Sequence, residues 1–68
     1  MSKGTVKYFN DLKGWGIISS ADSPEDIYVH YTSINMNGFK TLRQGQEVLF
    51  DLIHSNGRPL AQNVLPSR

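Results

Sequence analysis

An all-β fold, a small closed or nearly closed antiparallel barrel of five strands, is what this sequence predicts. Three observations lead there. Short segments rich in β-branched and aromatic residues are separated by turn signals roughly every 8–12 residues. No stretch carries helical apolar spacing over a useful length. Finally, 68 residues leave no room for a second sheet, so five short strands must close on themselves to bury a face.

Thr5-Val6-Lys7-Tyr8-Phe9 reads as the first strand, closed by the turn signal Asn10-Asp11. Residues 15–19 form the second, ended by Ser20-Ala21-Asp22-Ser23-Pro24. The third is Ile27-Tyr28-Val29-His30-Tyr31. Residues 32–38 are polar, end on an Asn37-Gly38 turn signal, and have room for one helical turn starting at Thr32 or Ser33. Gln44-Gly45 turns the chain into residues 47–53, expected to be the longest strand. Asn56-Gly57 is a hairpin signal, because both positions of a type I′ turn need positive φ. The last strand is placed at 61–65, with Pro66 as its stop.

Alternation then separates core from surface. Val6, Ile18, Ile27, Val29, Ile34, Val48, Phe50, Leu52 and Val64 fall at inward positions and can fill a small barrel unaided. With Ile27 and Val29 inside, Tyr28 and His30 face out. Six of the seven aromatic residues (one Trp, three Tyr, three Phe in all) lie in the first part of the chain: Tyr8, Phe9, Trp15, Tyr28, Tyr31 and Phe39. A core would spread them over all five strands, so the clustering points to one exposed aromatic patch. Rings held on a sheet face are platforms for stacking bases. Gly14 and Gly16 flank Trp15, which fits either room for a base or phosphate or a bend that closes the barrel. Strict alternation cannot put Tyr8 and Phe9 on one face: one of them is core, or the strand bends near Asn10. The same holds for His30 and Tyr31.

Composition narrows the classes further. The formal net charge is +1, so any basic character must come from placement, with Lys7, Lys13, Lys40 and Arg58 gathered on one side. The absence of cysteine removes disulfides and thiolate metal sites and suits a reducing compartment. No apolar run approaches the ~20 residues of a membrane span, and Met1-Ser2-Lys3-Gly4 does not begin a signal peptide. The expectation is one cytoplasmic domain spanning residues 1–68, without cofactor or membrane contact. A chain this short buries only about 60% of its unfolded surface, so its stability is modest.

Gly4-Thr5-Val6-Lys7-Tyr8-Phe9-Asn10, Lys13-Gly14-Trp15-Gly16-Ile17-Ile18 and Ile27-Tyr28-Val29-His30-Tyr31 resemble, in this order, the opening strand and the two ribonucleoprotein motifs of bacterial cold-shock proteins and the related Y-box proteins. Gly38-Phe39-Lys40-Thr41-Leu42, Gly45-Gln46 and residues 59–64 align as well. The resemblance implies a five-stranded OB-type barrel that binds single-stranded RNA and DNA and melts weak RNA structure without ATP. It also implies a role in transcription or translation when temperature drops. Carried across by position, the contact residues are Lys7, Tyr8, Phe9, Asn10, Lys13, Trp15, Tyr28, His30, Tyr31, Phe39, Lys40 and Arg58. The chain departs from the family pattern with Tyr8 for tryptophan and with Trp15 and Ile17 for phenylalanines. Its Gly57-Arg58-Pro59-Leu60 replaces an arginine-glycine-proline-glutamine order.

Two rival classes fit less well. An enzyme would have to work with His30 and His54 alone, and Asp22, Glu25 and Asp26 lack metal-ligand spacing; Asp26 is expected to pair with a lysine or shape the loop. A peptide-binding barrel using its aromatic face is the alternative reading, although proline grooves have no need of lysines among the rings. A monomer is expected, with a strand-swapped dimer left open.

Overall fold

The computed structural model describes residues 1–35 and 41–67. Five strands, β1 (Ser2–Asn10), β2 (Trp15–Ser20), β3 (Ser23–His30), β4 (Glu47–Ser55) and β5 (Arg58–Pro66), close into a barrel in the order β1-β2-β3-β5-β4. A single 3-10 turn, Tyr31–Ser33, follows β3. It starts one residue earlier than the sequence suggested, because His30 caps it. The His30 ring accepts from the Thr32 N–H, and the backbone at His30 is still extended. No helix among the described residues is long and apolar enough to cross a membrane.

The barrel departs from a purely antiparallel one at a single seam. β3 meets β5 in parallel through Tyr28 and Leu60, and the bridge between Ile34 and Val64 continues the contact. β4 is not the longest strand, since β1, β4 and β5 each have nine residues. Pro66 does not stop β5; it is the last residue of the strand, opposite Val48. The Asn56-Gly57 hairpin has φ of 54° and 77° at its two central residues, the left-handed pair that a two-residue loop requires.

Among the described residues the buried core consists of Val6, Ile18, Ile27, Val29, Ile34, Leu42, Val48, Phe50, Ala61 and Val64. Every inward assignment made from alternation is among them except Leu52, which packs against the cluster while remaining partly exposed. Leu42 and Ala61 complete the core. Three register shifts shape the strands. β1 shifts against β2 between Val6 and Tyr8, β3 against β2 across residues 24–26, and β5 against β4 between Gln62 and Leu65. Bulges of this kind bend a strand and redirect its side chains. The first of them governs the outer face described next.

Candidate nucleic-acid interface

Val6 pairs with Ile18, but the next pair joins Tyr8 to Ile17, so Lys7 is the extra residue. Beyond the bulge, Phe9 lies opposite Gly16 and Asn10 opposite Trp15. The strand therefore changes phase: Tyr8 and Asn10 join the outer face, while Phe9 packs against the core. This answers the Tyr8–Phe9 conflict, with the bend one position before Tyr8 rather than near Asn10. Phe9 is thus set apart from the other rings assigned to the contact surface.

Two cross-strand rows result. Tyr8, Ile17 and Tyr28 form one; Asn10, Trp15 and His30 form the other. The Trp15 ring lies between two tyrosines, edge-on to Tyr8 at 5.8 Å and within 26° of parallel to Tyr28 at 6.2 Å. Tyr8, Tyr28 and Tyr31 are 45%, 46% and 46% exposed, so all three reach solvent. Where β3 ends, the change of backbone direction lets His30 and Tyr31 sit side by side, 4.7 Å between centroids. Ile17 occupies the middle of the first row, the one aliphatic residue among the rings.

The two glycines beside Trp15 serve the protein's own packing. A Cβ on Gly16 would collide with the carbonyl oxygen of Tyr8 and lie 2.6 Å from Phe9 Cδ1. Gly14 has φ of +77°, and a Cβ there would lie 2.6 Å from the Tyr31 ring. The Gly14 carbonyl also accepts the Tyr31 N–H at 2.8 Å, fastening that ring to the β1–β2 turn.

Asn10 is committed to structure as well. Its Oδ1 accepts the Leu12 and Lys13 N–H groups, both at 3.0 Å, which closes the turn. Its Nδ2 donates to the Tyr8 hydroxyl at 3.2 Å. Asn10 thus positions Tyr8, and its second Nδ2–H is the one amide donor these bonds leave over. His30 Nδ1 lies 3.0 Å from Thr32 Oγ1 and also accepts the Thr32 N–H. Nε2 is then the nitrogen that points away from the turn contacts.

The cations are less concentrated than their order in the sequence suggested. Lys7 reaches Asp26 at 3.1 Å and Lys3 reaches Glu47 at 3.6 Å. Lys13 and Arg58 are exposed, and neither has an ion pair among the described residues. Arg58 borders a shallow hollow with Glu25, Asp26 and Tyr28. Phe39 and Lys40, the remaining two assigned contact residues, lie outside the described residues. A cleft of about 410 Å³ opens along the β3–β5 seam, lined by Trp15, Tyr28, Val29, His30, Ser33, Leu60, Ala61 and Gln62. Sequence reasoning passed over Ser33 and Gln62. Alternation from the inward Val64 would have turned Gln62 inward; the bulge at Asn63 changes the phase and exposes it. Among the described residues no cluster of three or more His, Cys, Asp or Glu side chains could hold a metal ion.

A closed five-stranded barrel with half-exposed rings across three adjacent strands defines an OB-fold barrel built to present an aromatic face. A family model described as "'Cold-shock' DNA-binding domain" matches residues 2–67. A cold shock-like protein of Aquifex aeolicus is 48% identical over 62 residues, covering 91% of this chain and 89% of that protein. The cold shock-like protein CspE of Escherichia coli is 46% identical over 63 residues, covering 93% and 91%. CspA of Stigmatella aurantiaca is 47% identical over 64 residues, covering 94% of each. The chain belongs to the cold-shock domain family and is a nucleic-acid-binding protein of that family.

Proposed function

We propose that this protein binds single-stranded RNA and DNA by stacking unpaired bases on its outer aromatic face. On this reading it acts as an ATP-independent RNA chaperone and regulates transcription or translation during cold adaptation. The observation that carries the reading is the contiguous run of rings Tyr8, Trp15 and Tyr28 across β1, β2 and β3, extended by His30 and Tyr31. Each stacked base contributes about 1–3 kcal/mol. Four such contacts at the upper end of that range, about 12 kcal/mol, less an association cost of about 4 kcal/mol, reach micromolar affinity, since 1 μM corresponds to about −8 kcal/mol. Arg58 shares a hollow with Tyr28, and Lys7, Lys13 and Lys40 are assigned to the face from the sequence. With Lys7 already facing Asp26, two to three phosphate contacts at ~0.7 each give a log–log salt slope of about −1.4 to −2.

Stacking therefore outweighs charge, which suits a chain of net charge +1. A paired base cannot lay its face on the sheet, so duplexes are excluded. Capturing each exposed strand withdraws it from the pairing equilibrium, and weak hairpins open without ATP. The protein acts as a single domain, as a monomer and in the cytoplasm.

Trp15 is the one tryptophan and reports directly on the site. Titration with a single-stranded oligothymidylate should quench its fluorescence with micromolar or tighter affinity. A duplex of the same sequence and a proline-rich peptide should leave the signal unchanged. Quenching by the peptide and not by the oligonucleotide would favour the peptide-binding alternative and defeat this proposal.

A further inference from the structure

A second hollow of about 510 Å³ adjoins the aromatic cleft, lined by Thr32, Ser33, Ile34, Asn35, Gln62 and Asn63. The two hollows share Ser33 and Gln62, so they meet edge to edge along the β3–β5 seam. The fold explains the gap. β3 and β5 pair at Tyr28 and Leu60, and the chain bridges to β5 again at Ile34 and Val64, with the 3-10 turn between the two points. On the other side, β5 bulges against β4 with Asn63 at φ 52°, and Gln62 and Asn63 are both exposed.

The chemistry of this hollow differs from that of the shelf. Its lining holds hydroxyls and carboxamides and no ionisable side chain. Two polar groups are occupied: the Thr32 hydroxyl contacts His30, and the Asn63 amide donates to Asp51 Oδ2 at 3.0 Å. Among the described residues, the side chains of Ser33, Asn35 and Gln62 make no hydrogen bond. A carboxamide offers a donor beside an acceptor, the pattern on the Watson–Crick edge of every base. A site without cations has little attraction for phosphate.

We infer that a single strand stacked on the aromatic shelf continues past His30 into this hollow. There Ser33, Asn35 and Gln62 hold one further nucleotide by hydrogen bonds to its base edge and sugar. The inference rests on the single-strand reading above and deepens it. It separates two parts of the surface: rings that take any base, and a neutral polar seat at one end that gives the strand a fixed register.

The test is a length series of oligothymidylates titrated against wild type and an Asn35→Ala variant, whose substituted residue lines the second hollow and not the aromatic cleft, with Trp15 fluorescence as the readout. Wild-type affinity should rise as the shelf fills and rise once more when the strand reaches the hollow. The variant should match wild type for short oligonucleotides and lose the last increment, about three- to tenfold for one or two neutral hydrogen bonds. Its salt slope should equal that of wild type at every length. Asn35 is exposed, so the thermal midpoint should stay within a few degrees of wild type. A variant that follows wild type at all lengths, or weakens equally at all lengths, overturns the inference and leaves the shelf intact. A wild-type chain that binds none of the oligonucleotides overturns both readings.

Discussion

Gly16→Ala should unfold this barrel more readily than it weakens ligand binding, and the size of the effect follows from the contacts. The added Cβ would meet the Tyr8 carbonyl oxygen, Phe9 Cδ1 at 2.6 Å and Phe9 Cα at 2.8 Å. Two of these three atoms are backbone of the paired strand, so no side-chain rotation relieves the clash. β1 and β2 must separate at the residue where the bulge has turned Phe9 inward. Overpacking of this kind costs about 1–3 kcal/mol, and backbone contacts place the change at the upper end. A 68-residue domain has a total stability of roughly 3–10 kcal/mol at 0.05–0.15 kcal/mol per residue. A cost of about 3 kcal/mol lowers the melting midpoint by on the order of 12–24 °C.

Gly45→Ala is the matched control. Among the described residues nothing lies within 4 Å of a Cβ at Gly45, but its φ is +85°, so the loss is conformational strain of about 1–2 kcal/mol. Urea melts of both variants followed through Trp15 should show the larger loss for Gly16→Ala. Oligonucleotide titrations under conditions where both remain folded should show near-wild-type affinity. The opposite pattern, an unchanged midpoint with weakened binding, would mean that Gly16 keeps space for a base. The strand packing described above would then be wrong.

Four further outcomes are expected. Trp15→Ala should weaken single-strand binding by at least ~1 kcal/mol, about fivefold, read by anisotropy of a labelled oligonucleotide. Its stability loss should stay well below the ~3–5 kcal/mol expected of truncating the buried Phe50. Ile17→Phe should tighten binding by about 1 kcal/mol by placing a ring between Tyr8 and Tyr28; unchanged or weaker affinity in the same titration argues against Ile17 facing the ligand. Asn10→Ala removes two turn hydrogen bonds and the Tyr8 anchor. It should cost about 1–2 kcal/mol in urea melts. Asp26→Asn releases Lys7 from its surface pair, so stability should move by less than ~1 kcal/mol. In the same variant the salt slope of binding should steepen by about 0.7.

Local alternation was enough to place most of the core and the outward rings of β3, because Ile27 and Val29 leave Tyr28 and His30 only one face to take. Asn56-Gly57 was equally legible, since its residue types match the backbone angles that the turn demands. What sequence could not supply depends on pairing between strands. The bulge at Lys7 exists only relative to β2, so neither the outward turn of Tyr8 nor the inward turn of Phe9 follows from β1 alone. The start of β3 at Ser23, before Pro24, similarly depends on a register irregularity against Ser19 and Ser20. Pro66 reads as a stop because proline cannot donate to a ladder, yet a strand's last residue tolerates that loss. The bonds of Asn10 to the turn and to Tyr8 were equally hidden, because only folded geometry brings those groups into range.

The bulge also settles the electrostatic character of the face. Without the extra residue, Phe9 would stand on the outer surface beside Lys7 while Tyr8 pointed inward, placing a phenol hydroxyl in an otherwise apolar core. With it, Phe9 takes the inward place that Gly16 leaves open, and Tyr8 is held outward by Asn10. Lys7 is left on the bulge, where its ammonium meets Asp26. One insertion therefore exposes a ring and partly neutralises the cation next to it. Both changes act in the same direction: they shift the face's attraction for a ligand from phosphate toward the flat surface of the base. That shift is what the proposed preference for single strands requires, because only an unpaired base presents its flat surface to a sheet.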